Sequence, residues 1–122
     1  MREELITLET AKLAKEKGFD WCVLFGYKPD GSRVDYDIEG GYYNYNQLDQ
    51  ENLSAPTQAL LQRWLREVHN IDVYCIPWIY ENKRVYDFFV NYEGESRAYS
   101  SYEKALEVGL QEALKLIKTS HL

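Results

Sequence analysis

Apolar residues recur along this chain with two periods, and those periods separate helices from strands. From Pro56 to Asn70, Leu60, Leu61, Trp64, Leu65 and Val68 follow the i, i+1, i+4, i+5, i+8 spacing of one helical stripe. Pro56 falls in the first turn, where a missing N–H costs nothing, and Arg63, Arg66 and Glu67 lie on or beside the wet face. Trp64 is therefore expected in the core rather than at a ligand. A shorter helix is predicted over Thr7–Lys17, capped by Thr7, with Leu8, Ala11 and Ala14 or Lys15 near one face. Gly18-Phe19 reads as its left-handed stop with an apolar contact. The last helix opens at Ser100, where Ser100-Ser101-Tyr102-Glu103 reads as a capping box, and buries Leu106, Gly109, Leu110, Ala113, Leu114 and Ile117.

Alternation with period two marks the strands. Ile71–Tyr80 and Val85–Tyr92 are two strands joined through Glu81–Arg84; with Asn82-Lys83 as the turn, paired positions have numbers summing to 165. Val73, Cys75, Pro77 and Ile79 then share a face with Tyr86, Phe88, Val90 and Tyr92, which is the better core, and Pro77 marks an edge strand or a bulge. The other face sets Tyr74, Ile76, Trp78 and Tyr80 opposite Asn91, Phe89, Asp87 and Val85. Trp21–Phe25, the turn Lys28-Pro29-Asp30-Gly31 and Arg33–Ile38 form a second hairpin, residues 38–55 a loop or irregular segment, and Arg97–Tyr99 a third short strand. The expected core is Leu60, Leu61, Trp64, Leu65, Val68, Val73, Cys75, Phe88, Val90, Leu106, Leu110, Ala113 and Ile117. This is an α+β reading: a single domain over 1–122, a small antiparallel sheet (hairpin 71–92 plus short strands) against three helices, its C-terminal part ordered α-β-β-β-α.

Composition sharpens this picture. A length of 122 residues with 45% hydrophobic content suffices for one domain with its own core. The net charge of −6 argues against binding nucleic acid or an anionic membrane, and is compatible with a basic protein surface. Eleven tyrosines and three tryptophans suit half-buried contact faces. The two cysteines, Cys22 and Cys75, have no ligand spacing and read as buried, reduced thiols. An acidic start without an apolar signal segment, and no apolar run near the roughly 20 residues of a membrane span, suggest a cytoplasmic protein.

Candidate chemistry is sparse. His69 ends a helix and His121 lies near the chain end, and neither sits in a catalytic motif. Asp35-Tyr36-Asp37-Ile38-Glu39-Gly40 has the opening spacing of a calcium loop, but Asn46 stands where the bidentate Glu is needed, so it reads as a solvated strand end. No catalytic, metal or cofactor residues are assigned. The α-β-β-β-α order resembles double-stranded-RNA-binding domains, yet Ser101-Tyr102-Glu103-Lys104-Ala105 offers one Lys beside a Glu where that family has a lysine-rich helix start. A shift of 51 residues lays Lys15-Glu16 on Arg66-Glu67 and Arg33-Val34 on Arg84-Val85, too few matches for a repeat.

Three stretches carry a resemblance: residues 10–19, 55–71, and 101–107 onward to Leu116-Ile117. Together they are similar to small hypothetical proteins carried by phages and prophages of gut bacteria, especially Bacteroides-type hosts. The resemblance implies a context, an accessory protein made inside the bacterial cell, and brings no functional residues with it. The leading expectation is a non-enzymatic protein that binds a host protein, such as a defence factor, or sequesters a small ligand; the alternative is a nucleic-acid-binding module. Its candidate contact residues are Tyr74, Trp78, Tyr80 and Phe89 on the second hairpin face, rimmed by Tyr42, Tyr43 and Tyr45. Two arrangements satisfy so much apolar area. Either Trp21–Ile38 folds over the face, or it stays open for a partner, a second copy of the chain or a planar ligand.

Overall fold

The computed structural model describes residues 4–34, 42–48, 51–94 and 97–118. The elements run α1 (Leu8–Glu16), β1 (Gly26–Tyr27), β2 (Arg33–Val34), α2 (Tyr45–Leu48), β3 (Leu53–Ser54), α3 (Gln58–His69), β4 (Val73–Tyr80), β5 (Lys83–Val90), β6 (Glu93–Gly94) and α4 (Tyr102–Leu116). They make an α+β fold with two antiparallel sheets, ordered β2-β1-β3 and β4-β5-β6, and the C-terminal part has the expected α-β-β-β-α order. The one-turn α2 adds a fourth helix inside the segment read as irregular. No helix among the described residues is long and apolar enough to cross a membrane.

Local chemistry sets the helix ends. Thr7 caps α1, and the chain leaves it through Gly18 at φ 90°, with Phe19 N–H bonded to Ala14 O and Gly18 N–H to Lys15 O. These are the two bonds of a Schellman motif, and Phe19 is buried behind it. The N-cap of α3 is Thr57, which accepts the Leu60 N–H, so Pro56 lies just outside the helix rather than in its first turn. The capping box expected at Ser100 does not form. Ser101 takes the N-cap and accepts the Lys104 N–H, leaving Glu103 in the first turn, where its charge suits the helix dipole.

The hairpin register differs from the sequence reading by two residues. Val73 pairs with Val90 and Tyr80 with Lys83, so paired numbers sum to 163 and the turn is Glu81-Asn82. Both turn residues have positive φ (48° and 63°), the twist that closes a two-residue hairpin. A second turn of this kind, Asn91-Tyr92 (51° and 72°), joins β5 to β6 and takes Tyr92 out of the strand. Because the error is an even number, every side chain that remains within β4 and β5 keeps its expected face, while Asn91 leaves the strand with Tyr92. Pro77 sits in β4, an edge strand, where its missing N–H breaks no ladder. The return strand is interrupted. Phe89 pairs with Gly94 and Tyr86 with Tyr99, so three steps along β5 (89 − 86) correspond to five along the return (99 − 94). Asp87 Oδ1 closes this bulge by accepting the N–H groups of Arg97 and Ala98, at 3.1 and 2.9 Å.

One continuous core joins Ile6, Phe19, Val23, Tyr45, Leu61, Trp64, Leu65, Val73, Leu106, Leu110 and Leu114. Phe19 meets Trp64 edge-on at 5.2 Å, tying the N-terminal half to α3. On the other side α4 lies so close to the hairpin that a Cβ on Gly109 would meet Phe88 Cβ at 3.0 Å and Val73 Cγ1 at 3.1 Å. Four expected core positions differ. Val68 is 52% exposed, because the last turn of α3 runs past the elements that cover Leu61 and Leu65, and Leu60, Cys75 and Val90 are half-buried at the core margin.

Candidate functional site

The outer face of the hairpin brings Tyr74, Ile76, Trp78, Tyr80 and Phe89 onto one surface, through strand alternation alone. Tyr74 and Phe89, directly paired, stack at 5.3 Å with planes 10° apart, and Tyr92 leans on Tyr74 at 6.0 Å. Trp78 meets Tyr80 edge-on at 5.5 Å and stands opposite Val85, which is buried. The Trp78 indole nitrogen is shielded from solvent and has no acceptor among the described residues. Ile76 (44%), Tyr80 (49%) and Tyr92 (74%) remain open to water. Residues 21–34 do not cover this face. They build their own sheet against Tyr43, Tyr45 and residues 53–55, while residues 35–38 lie outside the described part.

The loop tyrosines do not rim the hairpin. Tyr45 is fully buried, donates from its hydroxyl to Leu24 O at 2.9 Å, and packs so tightly over Gly26 that a Cβ there would lie 2.7 Å from its ring. Tyr43 is half-buried and exchanges two backbone bonds with Val23, both 2.8 Å. Tyr42 is exposed and lines a separate cleft of about 540 Å³ beside β1, with no hairpin residue among its lining. Tyr43 and Tyr45 are held by partners about twenty residues away in the chain, which no local pattern reveals.

One polar cluster escaped the sequence reading. Glu107 on α4 accepts from Thr7 N–H (2.9 Å), Thr7 Oγ1 (3.0 Å), Thr10 Oγ1 and Gln58 Nε2 (2.9 Å). Four donors on one carboxylate place a negative charge at the start of α1 and clamp α1, α3 and α4 together, a structural role. The available signal was the buried faces of α1 and α3, which carry Thr10 and Gln58 among apolar positions.

Among the described residues no group of three His, Cys, Asp or Glu could hold a metal ion, and the calcium-like string at residues 35–40 and His121 lie outside them. His69 packs edge-on against Trp64 at 4.6 Å. Both cysteines are free, but Cys22 is exposed rather than buried: residues 21–25, expected as a strand, form only an isolated bridge, Val23 to Tyr43, at which Val23 is the buried neighbour. Cys75 is half-buried, and burial pushes its thiol up to about 11, with Glu103 adding to the rise. Burial likewise raises Tyr27, whose hydroxyl donates to Ile6 O at 2.6 Å, and Tyr102. Asp30 is lowered by its side-chain bond from Ser32 in the β1–β2 turn.

The fold and site define an α+β protein with an aromatic sheet face. No protein-family model, curated protein or solved structure matches the chain.

Proposed function

We propose that this protein is a non-enzymatic binding module that engages a partner protein through the outer face of the β4–β5 hairpin, as an accessory protein in the cytoplasm of a bacterium carrying a phage or prophage. One observation carries the reading: Tyr74, Trp78, Tyr80 and Phe89 lie on one sheet face with Ile76 and Tyr80 open to solvent, although the fold has core enough without them. Aromatic side chains of this kind supply large contact area at small entropic cost and dominate binding hot spots. The net charge of −6 favours a partner with a basic surface, and a host defence factor is the kind of target the phage context implies.

The test compares the wild-type chain with Trp78→Ser in affinity purification from a Bacteroides-type lysate, with melting temperatures measured in parallel. The reading expects a variant that stays folded and monomeric and loses a partner the parent retains. A variant that keeps both its stability and every partner sinks it. Aromatic sheet faces also stack bases, but Lys83 is the one cation on this face of β4 and β5, so a mobility shift with RNA or DNA at low salt is not expected. Such a shift would replace the protein-binding reading with a nucleic-acid one.

A further inference from the structure

We infer that the cleft beside β1 is a binding site for a small amphipathic anion, an apolar chain or ring carrying one carboxylate. The site is independent of whatever meets the hairpin. At about 540 Å³ it has the size of a small-molecule pocket, and Val23, Leu24, Phe25, Pro56 and Leu60 make most of its lining apolar.

Much of the backbone of the walls is already paired, which leaves the side chains of Arg33 and Tyr42 as their main polar groups. Val23 exchanges both backbone bonds with Tyr43, Ala55 N–H donates to Phe25 O, and Ile6 N–H donates to Pro56 O. Leu24 O accepts the Tyr45 hydroxyl, and Thr57 Oγ1 accepts the Leu60 N–H. A ligand body seated here is therefore apolar, because a polar one would exchange water for groups already paired. Leu24, 40% exposed in this cleft, gains by being covered.

Polar recognition falls to Arg33. Its guanidinium lies over the Phe25 ring, 4.9 Å from the centroid, and no carboxylate among the described residues pairs with it. Stacking on an aromatic ring orients the planar group and leaves its N–H fork without a carboxylate among the described residues, the geometry in which arginine takes a carboxylate through two parallel bonds. Charge complementarity thus selects a negative head group. One such cation suits a carboxylate, since a phosphate dianion calls for more positive charge than this wall holds.

The experiment titrates octanoate, octanol and octylamine into the protein, read by calorimetry and by amide chemical shifts, with wild type, Arg33→Gln and Leu24→Glu. Melting temperatures confirm that both surface variants fold. The inference expects octanoate to bind more tightly than octanol and octylamine not to bind, with shifts at Val23, Leu24, Arg33, Tyr42 and Leu60. Arg33→Gln should weaken octanoate about tenfold, the value of a lost charge-assisted pair, and leave octanol unchanged. Leu24→Glu should abolish both. Octylamine binding as well as octanoate, an unaltered Arg33→Gln variant, shifts centred on Tyr74 and Phe89 instead, or no saturable binding at millimolar ligand would each overturn it.

Discussion

In the sheet of β1, β2 and β3 each strand contributes two residues, whereas β4 and β5 pair over eight. The short sheet is therefore closed by side chains. Tyr27 and Tyr45 donate their hydroxyls to Ile6 O and Leu24 O, and Asn46 and Ser54 exchange bonds between side chain and backbone at 3.2 and 2.9 Å. Asn46 also donates to Phe19 O at 2.8 Å. In the hairpin the backbone ladder and two tight turns do the same work, and the ring faces of Tyr74, Trp78 and Phe89 stay outside it. Side chains turned inward to close a short ladder are lost to any partner; side chains freed by a long one are available. Tyr45 beside the short sheet and Tyr80 in the hairpin thus have opposite fates.

Breaking the link between the halves should have the largest effect. Trp64→Ala removes the ring that Phe19 and α3 share and is expected to cost about 3–5 kcal/mol in urea denaturation; an unchanged midpoint would remove Trp64 from the core. Next comes Asn46→Ala, which strips the bonds to Ser54 N–H and Phe19 O and should cost about 2–3 kcal/mol. The sharpest form of the comparison sets that variant against Trp78→Ser, which loses a far larger side chain and yet should cost less than about 2 kcal/mol, because the ring is only half-buried. If the order of the two came out reversed, the hairpin face would be core and the comparison would fail.

Smaller effects probe the ladder itself. Glu81→Asn with Asn82→Gly should raise stability by about 0.5–1 kcal/mol, since both positions have positive φ; a loss instead would place the turn elsewhere. The least effect concerns Cys75, whose thiol is held up to about 11 in the folded state. The folded chain keeps this proton longer than the unfolded one, so the contribution is complete below about pH 9 and declines as pH rises toward 11. Stability of wild type and Cys75→Ala, measured across that window, should converge. Iodoacetamide at neutral pH should modify exposed Cys22 well before Cys75.

Much of this was legible where the cause is local. The Gly18-Phe19 stop, the Thr7 cap, the β1–β2 turn and the membership of both hairpin faces follow from residues within a few positions of one another. The hairpin register was not. A slip of two residues preserves both faces, so alternation cannot detect it; the positive φ of Glu81-Asn82 and the close approach of Gly109 to Phe88 and Val73 decide it. Val68 fell out of the core for a related reason, since a stripe shows which side of a helix is buried but not where its cover ends.

By itself, then, the sequence determined the three long helices, the central hairpin and the composition of its two faces, because periodicity and capping are properties of neighbouring residues. It set short strands at Trp21–Phe25 and Arg97–Tyr99, where the structure has Gly26–Tyr27 and Glu93–Gly94. Only the tertiary structure decided that Tyr45 is core while Tyr42 lines a cleft, and that Glu107 clamps three helices. The gathering of Leu24, Arg33, Pro56 and Leu60 around one cavity was decided there too. Each of those outcomes depends on contacts between segments distant in the chain, and a contact of that kind leaves no periodic mark in the sequence of either partner.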